Sequence, residues 1–214
     1  MTQLPLPMGW PRRDDIGHLL IHGGNSAAVA HLRDWQRWPS PCALLMGPRR
    51  SGRSLLGRLF EAETGGLAVD EAERCDEERL FNLWNAARDG GAPLLLIVED
   101  APAPWMVTLP DLRTRLATAT IARILAPDEA GVAALIAHGL EQAGSAFAPD
   151  VPEYLARRTA RCYEMIDTVI ARLNAVSLAS GQKLSVASVR SIPDLAEPGA
   201  MPGVTSDEGT RHSG

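Results

Sequence analysis

The sequence predicts an α/β fold with a parallel sheet, followed by a small all-helical domain. Three observations indicate this class. Residues 42–60 have the pattern of a buried strand, a glycine-bounded loop and an amphipathic helix. Residues 94–98 form a continuous apolar run, which is typical of a strand buried on both faces of a parallel sheet. From Pro127 onward the apolar residues recur at helical spacing.

The first thirteen residues are rich in proline and predict an extended tail. Leu4, Leu6 and Met8 alternate along it, so they share one side of an extended backbone. This pattern is typical of a short peptide that binds an apolar pocket. The alternative is a tail that folds back on its own domain. After it we expect a short strand at 14–22 and an amphipathic helix at 27–38.

The loop after the first core strand matches a phosphate-binding motif except at one position. Its eight residues are Gly47, Pro48, Arg49, Arg50, Ser51, Gly52, Arg53 and Ser54. They follow the pattern G-x-x-x-x-G-K-[ST], with Arg53 in place of lysine. Glycines let the backbone approach a phosphate, and the amides at the start of the helix point towards it. The hydroxyl of Ser54 can bind Mg²⁺. Because arginine is bulkier and planar, we expect nucleotide binding with weak or absent hydrolysis. The alternative is an ordinary glycine-rich turn between a strand and a helix.

The remaining core elements alternate between strands and helices, which favours a parallel sheet. The predicted strands are 66–71, 94–98 and 121–125, and a helix at 76–89 is closed by Gly90 and Gly91. Pro102, Pro104 and Pro110 predict an irregular connection. Further helices are expected at 128–143, 150–160, 163–180 and 185–191. The predicted domains are a tail at 1–13, an α/β core at 14–126, a helical lid at 127–192 and a disordered tail at 193–214.

Two predicted strands end in paired acids, Asp70 with Glu71 and Glu99 with Asp100. A nucleotide hydrolase needs one carboxylate near magnesium and one that orients water. The order along the chain favours Asp70 at the magnesium ion, Glu71 at the water, and Asp100 as a residue that senses phosphate or a neighbour. The swapped assignment remains open, as does a role for both pairs as solvated strand ends.

The composition fits a cytoplasmic protein. The formal net charge is −5, so no general attraction to nucleic acid is expected. No apolar run reaches membrane-spanning length, and the start lacks the pattern of a signal peptide. The three cysteines fit neither a metal spacing nor a disulfide framework.

With these motifs in place, the chain resembles the DnaA-related AAA+ proteins of the Hda type, which carry out regulatory inactivation of DnaA. Residues 112–116 (Leu-Arg-Thr-Arg-Leu) resemble that family's Box VII, which makes Arg115 the candidate arginine finger and Arg113 a weaker one. The segment around Asn25 is similar to the family's residues beside adenine. The tail resembles a sliding-clamp-binding peptide, formed by Gln3, Leu4, Pro5, Leu6, Pro7 and Met8.

The resemblance implies a negative regulator of chromosomal replication initiation. Such a protein binds ADP or ATP with Mg²⁺, docks on the DNA polymerase III sliding clamp, and promotes hydrolysis of DnaA-bound ATP through Arg115. It contacts DNA only through the clamp, and a homodimer through the apolar tail stays open. Other readings are a non-catalytic adaptor on the clamp, and a stand-alone P-loop ATPase or nucleotide kinase. Arg115 has a plainer alternative role, an ion pair with Asp111 one helical turn away.

Three departures from the family pattern limit the expected hydrolysis. Arg53 replaces the loop lysine. The connector at 61–66 is too short for the usual strand and helix, so we expect a trimmed AAA+ core. Tyr163 stands where the family's lid carries a nucleotide-sensing arginine, and Arg161 lies close by in the sequence.

Overall fold

The structure is a computed structural model that describes residues 19–100 and 105–192. Within those limits the chain divides into two compact units. The first contains residues 19, 28–47, 52–100 and 105–123, and the second contains residues 20–27, 48–51 and 124–192. The tail expected at 1–13 and the one expected at 193–214 lie outside the described residues. No helix in the described part is both long and apolar enough to cross a bilayer.

The first unit is built on a parallel sheet with the strand order β2-β3-β1-β4. The strands are β1 at Cys42–Gly47, β2 at Leu67–Val69, β3 at Leu94–Glu99 and β4 at Thr120–Arg123. Residues 94–98 of β3 are all buried, as the apolar run predicts. Because every pair is parallel, all four carboxyl ends meet at one edge of the sheet, where ligands bind in this class of fold.

Four helices accompany this sheet along the chain. They are α1 at Ser26–Arg33, α2 at Arg53–Thr64, α3 at Glu77–Gly90 and α4 at Pro110–Leu116. Helix α3 buries Leu80, Trp84 and Ala87, and Asp76 caps its start by accepting a hydrogen bond from the Glu78 amide. In α2, a Cβ at Gly57 would lie 2.5 Å from Ile97 Cδ1, so glycine lets this helix approach the sheet without displacing that side chain.

The second unit is helical after Pro127, as the sequence predicts. Its helices are α5 at Glu129–Gln142, α6 at Val151–Ala156, α7 at Tyr163–Ser180 and α8 at Val186–Arg190. Asp128 caps α5 through the Gly131 amide at 2.8 Å. Ser185 forms a capping box with Ser188 at the start of α8. The helices enclose a separate core whose largest buried members include Ile136, Leu140, Leu155 and Ile166.

Several predicted boundaries were wrong. Residues 19–22 of the strand expected at 14–22 are not a strand, because the carbonyl of His22 accepts the amides of Asn25 and Ser26 in a turn; residues 14–18 lie outside the described part. Helix α1 ends at Arg33, not at 38, and a 3₁₀ turn follows at Trp35–Arg37. The Trp38 indole bonds to the His31 carbonyl, which holds the chain against α1.

Three further segments differ from the predictions. Helix α2 continues through Thr64 and ends at Gly65 (φ 68°), so the predicted connector at 61–66 is largely helical. Pro110 begins α4 instead of keeping the chain irregular, because the first position of a helix needs no amide hydrogen. Strand β4 ends at Arg123, and the Leu125 amide bonds to the Gly24 carbonyl.

Candidate functional site

The backbone of the predicted phosphate-binding loop has features that suit an anion site. Strand β1 ends at Gly47, and α2 begins at Arg53. Gly52 precedes the helix in the left-handed region (φ 85°), which favours glycine, and Arg50 also has a positive φ of 59°. The first amides of a helix have no intrahelical acceptor, so those of α2 are donors for a negatively charged group.

Ser51 supplies an independent sign that this loop takes a ligand. The side chain is only 6% exposed, and its Oγ has no hydrogen-bond partner among the described residues. A buried hydroxyl without a partner is costly, and a phosphate oxygen would satisfy it. The loop backbone and Ser51 therefore fit a phosphate group. Pro48 is half-buried, whereas Arg49 and Ser54 are exposed.

The two other loop arginines are held by protein acceptors. Arg53 donates from Nη1 to the Val98 carbonyl at 2.6 Å, so the residue in the lysine position is bound to strand β3. Arg50 pairs with Asp167 at 3.0 Å. Burial raises the pKa of the Asp167 carboxyl, and the Arg50 guanidinium opposes that shift. A phosphate ligand would compete with these acceptors for both guanidinium groups.

Asp100 lies at the carboxyl edge of the sheet next to the loop. Its amide donates to the Gly47 carbonyl at 3.0 Å, which joins the end of β3 to the end of β1. Its carboxylate pairs with Arg123 at 2.6 Å. Arg123 was not predicted from the sequence, because it stands in the middle of the strand expected at 121–125 and ends that strand only in the structure. The predicted sensing carboxylate is therefore already neutralised by a neighbouring cation.

Asp70 and Glu71 follow β2, which is separated from β1 by β3 in the sheet order. Asp70 accepts the Glu71 amide at 3.0 Å, and Glu71 pairs with Arg74 at 3.1 Å. Glu71 has a φ of 49°, so the chain turns sharply at this point. The described residues include no group of three or more His, Cys, Asp and Glu side chains suited to a metal ion. The magnesium roles of Ser54 and Asp70 and the water-orienting role of Glu71 stay predictions.

Glu73 is an acidic residue at this edge that the sequence analysis missed. Its Oε1 accepts the Glu99 amide at 3.3 Å, which links the segment after β2 to the end of β3. Its Oε2 is buried without a hydrogen-bond partner among the described residues. No periodic or motif signal marks this residue, because it lies in a single 3₁₀ turn at Ala72–Arg74.

Asn25 has a local structural role in the second unit. Its Oδ1 accepts the His22 amide and its Nδ2 donates to the Leu20 carbonyl, both at 2.9 Å. The amide oxygen and one of the two amide N–H groups are thus used within the turn at 20–26. The predicted contact with adenine stays a prediction.

Tyr163, expected where related proteins sense nucleotide, is bonded within the same unit. Its hydroxyl donates to the Leu125 carbonyl at 2.8 Å and lies 3.4 Å from His22 Nε2. Burial raises the pKa of Tyr163 to about 12. Burial also lowers the pKa of His22, against the opposing charge of Asp128. Arg161 lies 3.9 Å from Glu129.

Arg115 and Arg113 lie on α4 in different surroundings. Arg113 donates to the carbonyls of Val107 and Thr108, so its guanidinium is tied to the chain before the helix. Arg115 is half-buried, and its guanidinium carbon lies over the rings of Phe81 and Trp84. The alternative pairing of Arg115 with Asp111 is not among the ion pairs of the described residues. The clamp-binding peptide at residues 3–8 lies outside the described part.

Comparisons with solved structures identify this architecture. Domain III of the replication initiation protein DnaA from Thermotoga maritima matches with a TM-score of 0.66 and 13% identity, over 82% of this chain and 93% of that one. The replication initiator DnaA bound to AMPPCP and single-stranded DNA matches with a TM-score of 0.60 and 11% identity, over 79% and 68%. No protein-family model matches the sequence.

A Holliday-junction motor has a related fold. The RuvB branch migration motor of Thermotoga maritima matches with a TM-score of 0.53 and 15% identity, over 74% of this chain and 62% of RuvB. These identities are low enough that the matches establish the fold alone. The four-stranded parallel sheet and the helical part after it confirm the predicted class. The chain therefore has an AAA+ fold, with DnaA domain III and RuvB among its structural neighbours.

Proposed function

We propose that this chain is a negative regulator of replication initiation that acts on DnaA. In this proposal residues 3–8 dock on the sliding clamp, the loop at 47–54 binds ADP or ATP, and Arg115 promotes hydrolysis of the ATP that DnaA holds. The fold supports the proposal, because the chain matches nearly the whole of one DnaA domain.

The loop and the fold support a bound nucleotide in this proposal. One structural neighbour is DnaA bound to AMPPCP, an adenine nucleotide analogue. In the present chain the amides at the start of α2 and the Ser51 hydroxyl would bind phosphate oxygens. Ser54 and Asp70 would hold Mg²⁺. The hydrogen bond from Arg53 to the Val98 carbonyl favours a nucleotide that is bound without rapid turnover.

The observation that carries the regulatory proposal is the state of Arg115. Its guanidinium lies over two rings, and no hydrogen bond or ion pair with a described residue engages it, although its charge contributes to the lowered pKa of the Asp89 carboxyl. Its donors thus remain available to a phosphate. An arginine that reaches a neighbouring protein's triphosphate stabilises the charge of the transition state and accelerates hydrolysis by about 10³–10⁵.

A second candidate is a non-catalytic adaptor that tethers replication factors to the clamp. The bond between Arg53 and the Val98 carbonyl favours this candidate as well, because it occupies the residue that would contact phosphates. The adaptor differs from the regulator in one respect. It would bind clamp and DnaA without accelerating hydrolysis.

A hydrolysis assay on DnaA tests the proposal. DnaA loaded with ATP is incubated with this chain, in the presence and absence of clamp on DNA. The expected result is faster phosphate release only when chain and loaded clamp are both present. The triple variant Gln3→Ala, Leu4→Ala, Leu6→Ala should bind no clamp and stimulate no hydrolysis. Clamp binding with unchanged hydrolysis would support the adaptor, and phosphate release by the chain alone would support a stand-alone ATPase.

A further inference from the structure

Helix α3 presents two aromatic rings to the candidate finger. Phe81 and Trp84 are three residues apart, so they are neighbours on the helix surface. The guanidinium carbon of Arg115 lies 4.6 Å from the Phe81 ring centre and 4.3 Å from the Trp84 ring centre. Both distances are within the range of a cation–π contact. We call these two residues the aromatic platform.

The guanidinium carbon lies over both rings of the platform, and neither ring offers a nitrogen or oxygen acceptor to its N–H donors. The five N–H donors of arginine lie in the guanidinium plane, whereas stacking uses the flat surface. Arg88 shows the contrast: it lies 5.6 Å from the Trp84 ring centre, but its Nε is bonded to Asp89 at 2.8 Å. Arg115 has no such acceptor among the described residues.

Trp84 is kept at this position despite an unsatisfied polar atom. The residue is 9% exposed, and its indole Nε1 is buried without a partner among the described residues. An apolar side chain would avoid that cost. The large indole surface packs in the core of the first unit and also lies against the Arg115 guanidinium.

We propose that Phe81 and Trp84 are positioning residues that orient the Arg115 guanidinium for a phosphate of another protein's bound nucleotide. This inference rests on the proposed function, because it assumes that Arg115 acts in trans. The platform restricts the arginine rotamers before the partner arrives, so less side-chain entropy is lost when the phosphate binds. Removing a ring should therefore slow stimulated hydrolysis while docking on the clamp continues.

The test compares Phe81→Leu and Trp84→Leu with the conservative variants Phe81→Tyr and Trp84→Phe. One readout is the NMR signal of the Arg115 Nε–H group in the isolated chain, which the rings shift when they lie over the guanidinium. The other readout is the maximal rate of DnaA ATP hydrolysis with loaded clamp. Thermal unfolding checks that each variant is folded. If Trp84→Leu does not fold, the test rests on the Phe81 variants, because Phe81 is only half-buried.

We expect each leucine variant to lose the ring shift and to lower the maximal rate about tenfold, with clamp binding unchanged. The conservative variants should keep both properties within about threefold. Arg79→Ala, an exposed change on the same helix, is the matched control and should leave the rate unchanged. A folded Phe81→Leu variant with a wild-type rate would overturn the inference, as would a wild-type Arg115 signal without a ring shift. A wild-type chain that shows the shift but fails to stimulate DnaA would contradict the proposed function instead.

Discussion

Three arginines of the described residues have different surroundings. Arg53 donates a hydrogen bond to a backbone carbonyl of β3, and Arg123 forms an ion pair with the carboxylate of Asp100. The guanidinium of Arg115 lies over two aromatic rings. A charge-assisted hydrogen bond to a fixed acceptor immobilises the guanidinium and uses its donors. A contact with aromatic rings also restrains the guanidinium, but it does not use the N–H donors in hydrogen bonds to an oxygen or nitrogen acceptor. Of these three residues, only Arg115 therefore keeps the donors that a phosphate needs.

The bond of Arg53 to Val98 predicts weak nucleotide binding that a single substitution improves. A ligand phosphate must compete with the Val98 carbonyl for the guanidinium. Lysine in its place is compact, and in Arg53→Lys we expect ADP affinity to rise about tenfold, which corresponds to about 1.4 kcal/mol. Isothermal titration with ADP and Mg²⁺ measures this. Arg58→Lys, an exposed change on the same helix, should leave affinity unaltered. Equal affinity of Arg53→Lys and wild type would show that the bond does not limit binding.

The loop motif could be predicted from the sequence, but the partners of its side chains could not. Glycine spacing and the helical pattern are local signals, so the shape of residues 47–54 follows from neighbours in the chain. The acceptor of Arg53 is a carbonyl at residue 98, and that of Arg50 is Asp167. Such pairs depend on the packing of distant segments, which no local pattern encodes.

At the scale of elements, one side chain of α3 organises the start of α4. Glu77 accepts the Thr108 amide and hydroxyl at 2.8 Å and the Leu109 amide at 2.5 Å. Leu109 at the N-cap provides no side-chain cap of its own. These hydrogen bonds hold the pKa of the Glu77 carboxyl below its usual range. The helix that carries Arg115 is thus capped from the helix that carries the aromatic platform.

The cap predicts a stability difference that depends on pH. Glu77→Gln places an amide N–H opposite the Leu109 amide, so we expect its melting temperature at pH 7 to fall by about 2–4 °C. The pKa of Glu77 is lower in the folded state than in the unfolded state. The ionised side chain therefore makes its full contribution to stability above the unfolded-state pKa of about 4.3, and this contribution is lost as the pH falls through the folded-state pKa. Differential scanning calorimetry from pH 7 to pH 3 measures this.

Glu78→Gln is the control for this prediction. Glu78 is the adjacent exposed residue, and its side chain has no hydrogen-bond partner among the described residues. We expect Glu78→Gln to have the melting temperature of the wild type from pH 7 to pH 3. A Glu77→Gln variant that also melts like wild type at pH 7 would show that the cap contributes nothing.

Element types were more predictable than element ends. The run at 94–98 and the helical spacing at 163–180 are long and regular, and both elements form where the sequence predicts. Ends depend on caps and tertiary hydrogen bonds. Pro110 was predicted to keep the chain irregular, although it begins α4. The Leu125 amide donates to the Gly24 carbonyl instead of continuing β4.

At the scale of the whole molecule, the chain resembles one domain of an initiator. Its two units are an α/β part with a four-stranded parallel sheet and a helical part with its own core, within the described residues. The sequence predicted an α/β part and a helical part, because burial on a parallel sheet and burial in a helical bundle leave different periodicities. The proposed function depends on a partner's nucleotide, and no periodicity within one chain reports on a partner.

The central claim is that Arg115 acts on a triphosphate held by DnaA. The most direct measurement is the rate of ATP hydrolysis on DnaA with loaded clamp, for wild type, Arg115→Ala and Arg113→Ala. We expect Arg115→Ala to bind clamp and ADP normally and to lose stimulation by a factor of about 10³ or more. Arg113→Ala should retain most of it, since that guanidinium is bonded to Val107 and Thr108. Stimulation by Arg115→Ala at the wild-type rate would contradict the account.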